Sequence, residues 1–173
     1  MTPFRLLAAI MLMAALAACA SGGTVPTEQP SFYKSLAQPG AVLDADAAAS
    51  MFSGFRTNNG LETLTLDPEL TKLAEAQAQA MAKRDKLDHN VTKPFAVRLK
   101  ASGYDAKIAA ENVGAGYHTL AEAFSGWRDS PPHRKNMLLA GTTRMGIAAV
   151  YAPNSKYKVF WSMILAAPDE KKG

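Results

Sequence analysis

Apolar and polar residues follow several different periods along this chain, and each period predicts an element. The clearest is helical: Leu70, Leu73, Ala74, Gln77, Ala78 and Met81 recur at three- and four-residue steps and form one buried face. Asp67-Pro68-Glu69 opens that stretch with an N-cap, a proline at the first helical position and an acidic first turn, so a helix is predicted from Pro68 to near Lys86. Upstream, Asp44 or Asp46 caps a helix running to about Arg56, where Asn58-Asn59-Gly60 supplies a stop. Leu61 to Leu66 alternates with period two and reads as a short extended piece. Pro94 to Ser102 carries Phe95, Val97 and Leu99 and ends at Gly103, which reads as a further helix. The glycines of Glu111-Asn112-Val113-Gly114-Ala115-Gly116-Tyr117 favour a strand with close backbone approach.

Thr119-Leu120-Ala121-Glu122 is a capping box, and Leu120, Phe124 and Trp127 form the inner face of the helix it starts. Ser130-Pro131-Pro132 breaks that helix, and His133 to Leu139 reads as one more short turn. Two strands follow, Arg144 to Tyr151 (with Met145, Ile147, Ala149 and Tyr151 on one side) and Val159 to Leu165, joined by Ala152-Pro153-Asn154-Ser155. Helices early and a hairpin late predict a three-layer α+β domain over residues 42–167, ahead of a short polar tail at 168–173.

The N-terminus departs from this pattern. Met1 to Arg5 is a short basic start and Leu6 to Leu16 an unbroken apolar run, too short to span a bilayer as a helix; this is the layout of a secretory signal covering residues 1–18. Leu16-Ala17-Ala18-Cys19 resembles the lipobox of bacterial lipoproteins, which implies cleavage before Cys19, diacylation of its thiol and attachment to a membrane. Ala20 follows, where Gram-negative lipoproteins held at the inner membrane carry Asp, so the resemblance points to the outer membrane of the bacterial envelope. Ala20 to Gly40 is rich in Ser, Gly, Thr, Pro and Gln, and residues 19–41 read as a flexible tether.

Composition narrows the classes. At 173 residues, with 48% hydrophobic and 20% charged positions, the chain suits one packed domain and excludes disordered or low-complexity classes. Cys19 is the one cysteine, so no disulfide partner exists within the chain. The net charge of +4 comes from interspersed signs, which is not the footprint of a nucleic-acid binder. No G-x-S-x-G elbow, P-loop, dinucleotide fingerprint or H-E-x-x-H is present, and Ser125 and Ser130 lack the context of a nucleophile.

What remains is a small set of polar residues. His89 and His133 each follow a predicted helix end, where sites are commonly built, and imidazole is the usual metal ligand and proton shuttle. Glu111 sits among Ala109, Ala110 and Val113, so its carboxylate is either paired or functional. Glu122 already has a structural role as the capping-box acid. On spacing alone each of these is equally an ordinary structural residue.

Taken in order, the motifs are recognisable. Arg56…Gly60-Leu61, Leu66-Asp67-Pro68-Glu69-Leu70, Leu87-Asp88-His89, Ser102-Gly103-Tyr104, Glu111-Asn112-Val113-Gly114-Ala115-Gly116, Trp127-Arg128-Asp129-Ser130-Pro131-Pro132-His133-Arg134-Lys135-Asn136-Met137-Leu138 and Phe160-Trp161 resemble a bacterial CAP domain, the fold of cysteine-rich secretory, antigen 5 and pathogenesis-related proteins. The resemblance implies an α-β-α sandwich whose cleft holds a tetrad, here His89, Glu111, Glu122 and His133, able in some members to bind a divalent metal, usually zinc. Asn112, Arg134 and Asn136 are then expected to shape or support that cleft. Two functions follow as expectations: a non-catalytic module binding a metal or an envelope ligand, or a hydrolase in which Glu111 or Glu122 activates water beside a histidine-bound zinc. A third reading keeps the tetrad as a purely structural polar cluster.

Overall fold

A computed structural model describes residues 28–169; the signal segment, Cys19 and the first part of the tether lie outside the described residues, as do residues 170–173. The expected helices form where their caps place them. Helix α1 (Ala45–Thr57) starts at Asp44, whose side chain accepts from the Ala47 N–H, with Asp46 in its first turn. After the two-residue strand β1 (Thr65–Leu66), helix α2 (Pro68–Arg84) is capped by Asp67, which accepts from Glu69 and Leu70. It stops two residues short of Lys86 because Asp85 turns left-handed at φ 47°. Helix α3 (Phe95–Ala101) leads to strand β2 (Ala106–Ala115), which begins five residues earlier than the glycine pattern indicates.

Helix α4 (Leu120–Asp129) carries the full capping box. Helix α5 (Pro131–Met137) differs from expectation: it begins at Pro131, not His133, because proline is well suited to a first helical turn, whose N–H groups lack intrahelical partners. The residues that end α4 therefore open α5. Strands β3 (Arg144–Tyr151) and β4 (Val159–Pro168) close the domain, the second running three residues past Leu165.

The sheet order is β1-β3-β4-β2, with β1 parallel to β3 and the other pairs antiparallel. Strand β4 is central, and its first eight residues are buried without alternation, the mark of a strand covered on both faces. Val159, Trp161, Met163 and Leu165 face one core with Phe52 of α1 and Leu120 and Trp127 of α4. Ile164 and Ala166 face the other with Leu70 and Ala74 of α2. This is the α-β-α sandwich. The second interface is so close that a Cβ on Gly146 of β3 would overlap the backbone of Leu70 and Thr71. The packed body starts ahead of residue 42. Phe32 lies against the first core, and buried Leu36 belongs to it and donates its N–H to the His118 carbonyl at 2.7 Å.

One buried cation fastens α1 to the far end of the site. Arg56 is fully buried and forms no ion pair among the described residues; instead Nε donates to Glu62 O (3.0 Å), Nη1 to Met137 O (2.9 Å) and Leu139 O (3.1 Å), and Nη2 to Thr142 O (2.8 Å). Burial pulls its guanidinium below the ordinary arginine value, with Glu62 opposing. The planar fork is what reaches four carbonyls; an ammonium has three protons on a single atom. Arg56→Lys is expected to cost about 1–3 kcal/mol by orphaning buried carbonyls. Urea unfolding followed by circular dichroism checks this, and a loss under about 0.5 kcal/mol, the range of an ordinary surface substitution, contradicts it.

Candidate functional site: a buried glutamate and two histidines

The site begins on β2. Glu111 lies opposite Ile164 of β4, and its carboxylate is only 1% exposed. A charge so placed needs partners, and it has them. Arg98 of α3 donates from Nη2 to Oε1 at 2.7 Å and to Oε2 at 2.9 Å. His89 places Nδ1 2.9 Å from Oε2, and Ser162 Oγ lies 3.5 Å from Oε1. Because the carboxylate accepts, the Nδ1–H tautomer of His89 is the one that fits, which leaves Nε2 with a free lone pair.

Each partner is itself held. Arg98 donates from Nε to Lys93 O (3.1 Å), and its guanidinium lies 5.5 Å from the Phe95 ring centre. The loop bearing His89 hangs on Gln77 of α2, whose Nε2 donates to the Asp88 carbonyl at 2.9 Å and the His89 carbonyl at 3.2 Å. The polar residue on the inner face of α2 is thus the anchor of the first histidine. The His89 ring is 47% exposed, open on the side away from Glu111.

The second histidine arrives from α5. His133 Nδ1 lies 2.9 Å from Ser130 Oγ, three residues back at the helix start. Its carbonyl accepts from Asn112 Nδ2 at 3.1 Å. Asn112 Oδ1 in turn accepts from Asn136 Nδ2 at 2.9 Å, and the same Nδ2 also donates to Glu111 O at 3.2 Å. Asn112 and Asn136 therefore lock α5 to β2 and set His133 beside the Glu111–His89 pair. Burial pulls His133 below the ordinary histidine value of 6.5, and the charge of nearby His89 pulls it further.

Not every expected residue joins them. Glu122 is exposed and spends its carboxylate on the cap: it accepts from His118 N–H at 2.6 Å and Thr119 N–H at 3.2 Å. Arg134 lays its guanidinium 5.4 Å from the ring centre of Phe55, packing α5 on α1. Among the described residues no three His, Cys, Asp or Glu side chains gather as metal ligands. The donors that fit a cation are the Nε2 atoms of His89 and His133, neither with a protein partner among the described residues. Glu111 and Ser130 stand behind the two rings, where carboxylates and hydroxyls fix metal-binding imidazoles. Sequence reasoning missed Arg98 and passed over Ser130. A buried glutamate demands a cation, but nothing along the chain says which of the many Lys and Arg supplies it.

The family is decided by a match of residues 49–165, which span every one of these groups, to the family model described as CAP: Cysteine-rich secretory protein family. The chain belongs to the CAP family. Bacillus subtilis YkwD is 35% identical over 98 residues, covering 55% of this chain but only 38% of that protein. Two solved structures share the fold. One is an extracellular protein containing an SCP domain from Bacillus anthracis (TM-score 0.62, 21% identity, 70% of this chain and 39% of that one). The other is an outer surface protein of Borrelia burgdorferi (TM-score 0.65, 16% identity, 73% and 93%). In this CAP domain the histidine and glutamate motifs lie on the α2–α3 loop, β2 and α5.

A pH dependence follows from His133. Its folded value is depressed, so the unfolded chain binds more protons near neutrality, and the stability it contributes above pH 6.5 is lost as pH falls through the folded value. His133→Asn is expected to flatten the decline in stability between neutral and mildly acid pH. Urea melts across that range test it; an unchanged slope contradicts the assignment.

Proposed function

We propose that this CAP domain is a binding module outside the cytoplasm, holding a divalent metal, zinc by preference, through Nε2 of His89 and Nε2 of His133, with an envelope ligand as its partner. The observation that carries the reading is the pairing at Nδ1 of both rings: Glu111 behind His89 and Ser130 behind His133 orient the two Nε2 lone pairs. A cation there supplies Lewis acidity for an oxygen of the ligand, and zinc suits imidazole donors at an open site. Glu122 has no part in the coordination, and Glu111 acts by orienting His89.

Binding is favoured over hydrolysis because the residues that a hydrolase needs are committed elsewhere. A general base must reach water or substrate, whereas Glu111 is buried behind Arg98 and His89. The Ser130–His133 contact has the outline of a nucleophile and base, yet Ser130 is followed by Pro131 and Pro132, which have no N–H to stabilise an oxyanion. The signal pattern, Cys19 and the extracellular and surface relatives support a lipid-anchored place in the envelope, at the outer membrane.

Zinc titration followed by thermal and urea unfolding tests the reading. At a hundredfold excess over its dissociation constant zinc is expected to stabilise the wild type by about 2.7 kcal/mol, with affinity falling at acid pH because ligation needs neutral imidazole. His89→Ala and His133→Ala remove the gain, whereas Glu122→Gln and His118→Ala keep it. Zinc-independent unfolding of the wild type at neutral pH overturns it.

A further inference from the structure

Strand β2 lies at the end of the sheet: β4 runs along one side of it, and among the described residues no strand runs along the other. The hydrogen bonds fix which of its groups look outward. Gly116 N–H donates to Val159 O at 3.0 Å, and ladder bonds between antiparallel strands recur at every second residue, so Gly114, Asn112 and Ala110 turn their N–H and C=O toward β4. The odd-numbered residues between them face out. Two of their carbonyls are already used, Val113 O by Trp127 Nε1 at 3.1 Å and Glu111 O by Asn136 Nδ2 at 3.2 Å. The outer edge is closed from that carbonyl onward. Ahead of it, Ala109 N–H, Ala109 O and Glu111 N–H look away from β4 and make no hydrogen bond among the described residues.

A strand edge with free N–H and C=O groups is a template for another extended chain, and its flanks say which kind. Ala106 and Ala109 pack in one cluster with Phe95 and Leu99 of α3. Exposed Lys107 stands between those two alanines and exposed Lys100 follows Leu99, and neither lysine forms an ion pair among the described residues. Ile108 turns to the opposite face and is 37% exposed. The β2–β4 register slips between Ala106 and Ile108, which makes a bulge beside Lys107. A bulge and a lysine deter pairing with a neutral strand, or with the same cationic edge of a second copy, whereas an acidic strand gains from the lysine. We propose that the Lys107–Glu111 edge of β2 takes up an extended acidic segment of a partner protein as a further strand. The backbone of that segment pairs with Ala109 and Glu111, its carboxylates lie on the Lys107 face, and its apolar side chains lie beside Ile108. The surface acts without a metal, so its failure and that of zinc binding are separate results.

The probe is the peptide acetyl-Val-Asp-Val-Asp-Val-amide, titrated without zinc into the full chain in detergent and followed by ¹H–¹⁵N spectra and amide hydrogen exchange. Ala109 and Glu111 N–H are expected to shift and exchange more slowly, while the exchange of Ala110 N–H, already in the β4 ladder, stays as it was. Methylating one alternate set of peptide amides should abolish binding and methylating the other should spare it, because only every second N–H faces the protein. Ala109→Pro removes an N–H that lies outside the β4 ladder, a change a sheet edge tolerates, and should abolish binding. Lys107→Glu alters an exposed side chain and should weaken binding about tenfold. Absence of any shift at millimolar peptide overturns the proposal. So does equal loss from both methylated sets, or equal binding by the peptide with lysine in place of aspartate.

Discussion

A carboxylate taken out of water in the middle of a sheet cannot stand alone, and much of this structure around β2 answers to that one at Glu111. Arg98 neutralises it, His89 is oriented by it, and the loop between α2 and α3 must run where both can reach. Removing Arg98 leaves the buried charge of Glu111 unpaired, which costs several kcal/mol. The same interaction explains why Glu111 makes a poor base and a good positioner: its oxygens are occupied on the protein side, and its effect is transmitted through the far nitrogen of His89.

The remaining scaffold brings the second histidine to the first. Strand β4, buried on both faces, fixes β2 and β3 in one plane. Asn112 and Asn136 then clamp α5 across β2, and Arg56 holds the carbonyls at the end of α5 and in the turn after it to α1. Neither the loop that carries His89 nor the helix that carries His133 places its histidine alone. Each depends on an amide from a neighbouring element, Gln77 for His89 and Asn112 for His133. That dependence leaves both rings free to present Nε2.

Local signals in the sequence carried most of the fold. Asp67-Pro68, the Thr119–Glu122 box and the alternation in Met145-Ile147-Ala149 act within a few residues, so they can be read without tertiary information. The same locality misled at Pro131-Pro132, where a stop for one helix is also a start for the next. The packing of Phe32 and Leu36 against the core was hidden because two apolar residues in a polar stretch show no period. Within the site, family motifs marked His89, Glu111 and His133. The local capping box already gave Glu122 its place at the start of its own helix, against its place in the family tetrad; what the motifs could not show is that Arg98 and Ser130 complete the pairings, because those contacts depend on distances across elements or on a rotamer.

The central claim is that Glu111 holds His89 as the Nδ1–H tautomer with Nε2 free. Long-range ¹H–¹⁵N correlation spectra of the neutral imidazole measure this directly, since protonated and unprotonated ring nitrogens resonate far apart. The account predicts a protonated Nδ1 and an unprotonated Nε2 for His89 in the wild type, and loss of that preference in Glu111→Leu where the variant remains folded. A His89 ring protonated at Nε2 in the wild type, or an unchanged tautomer in the variant, would contradict it.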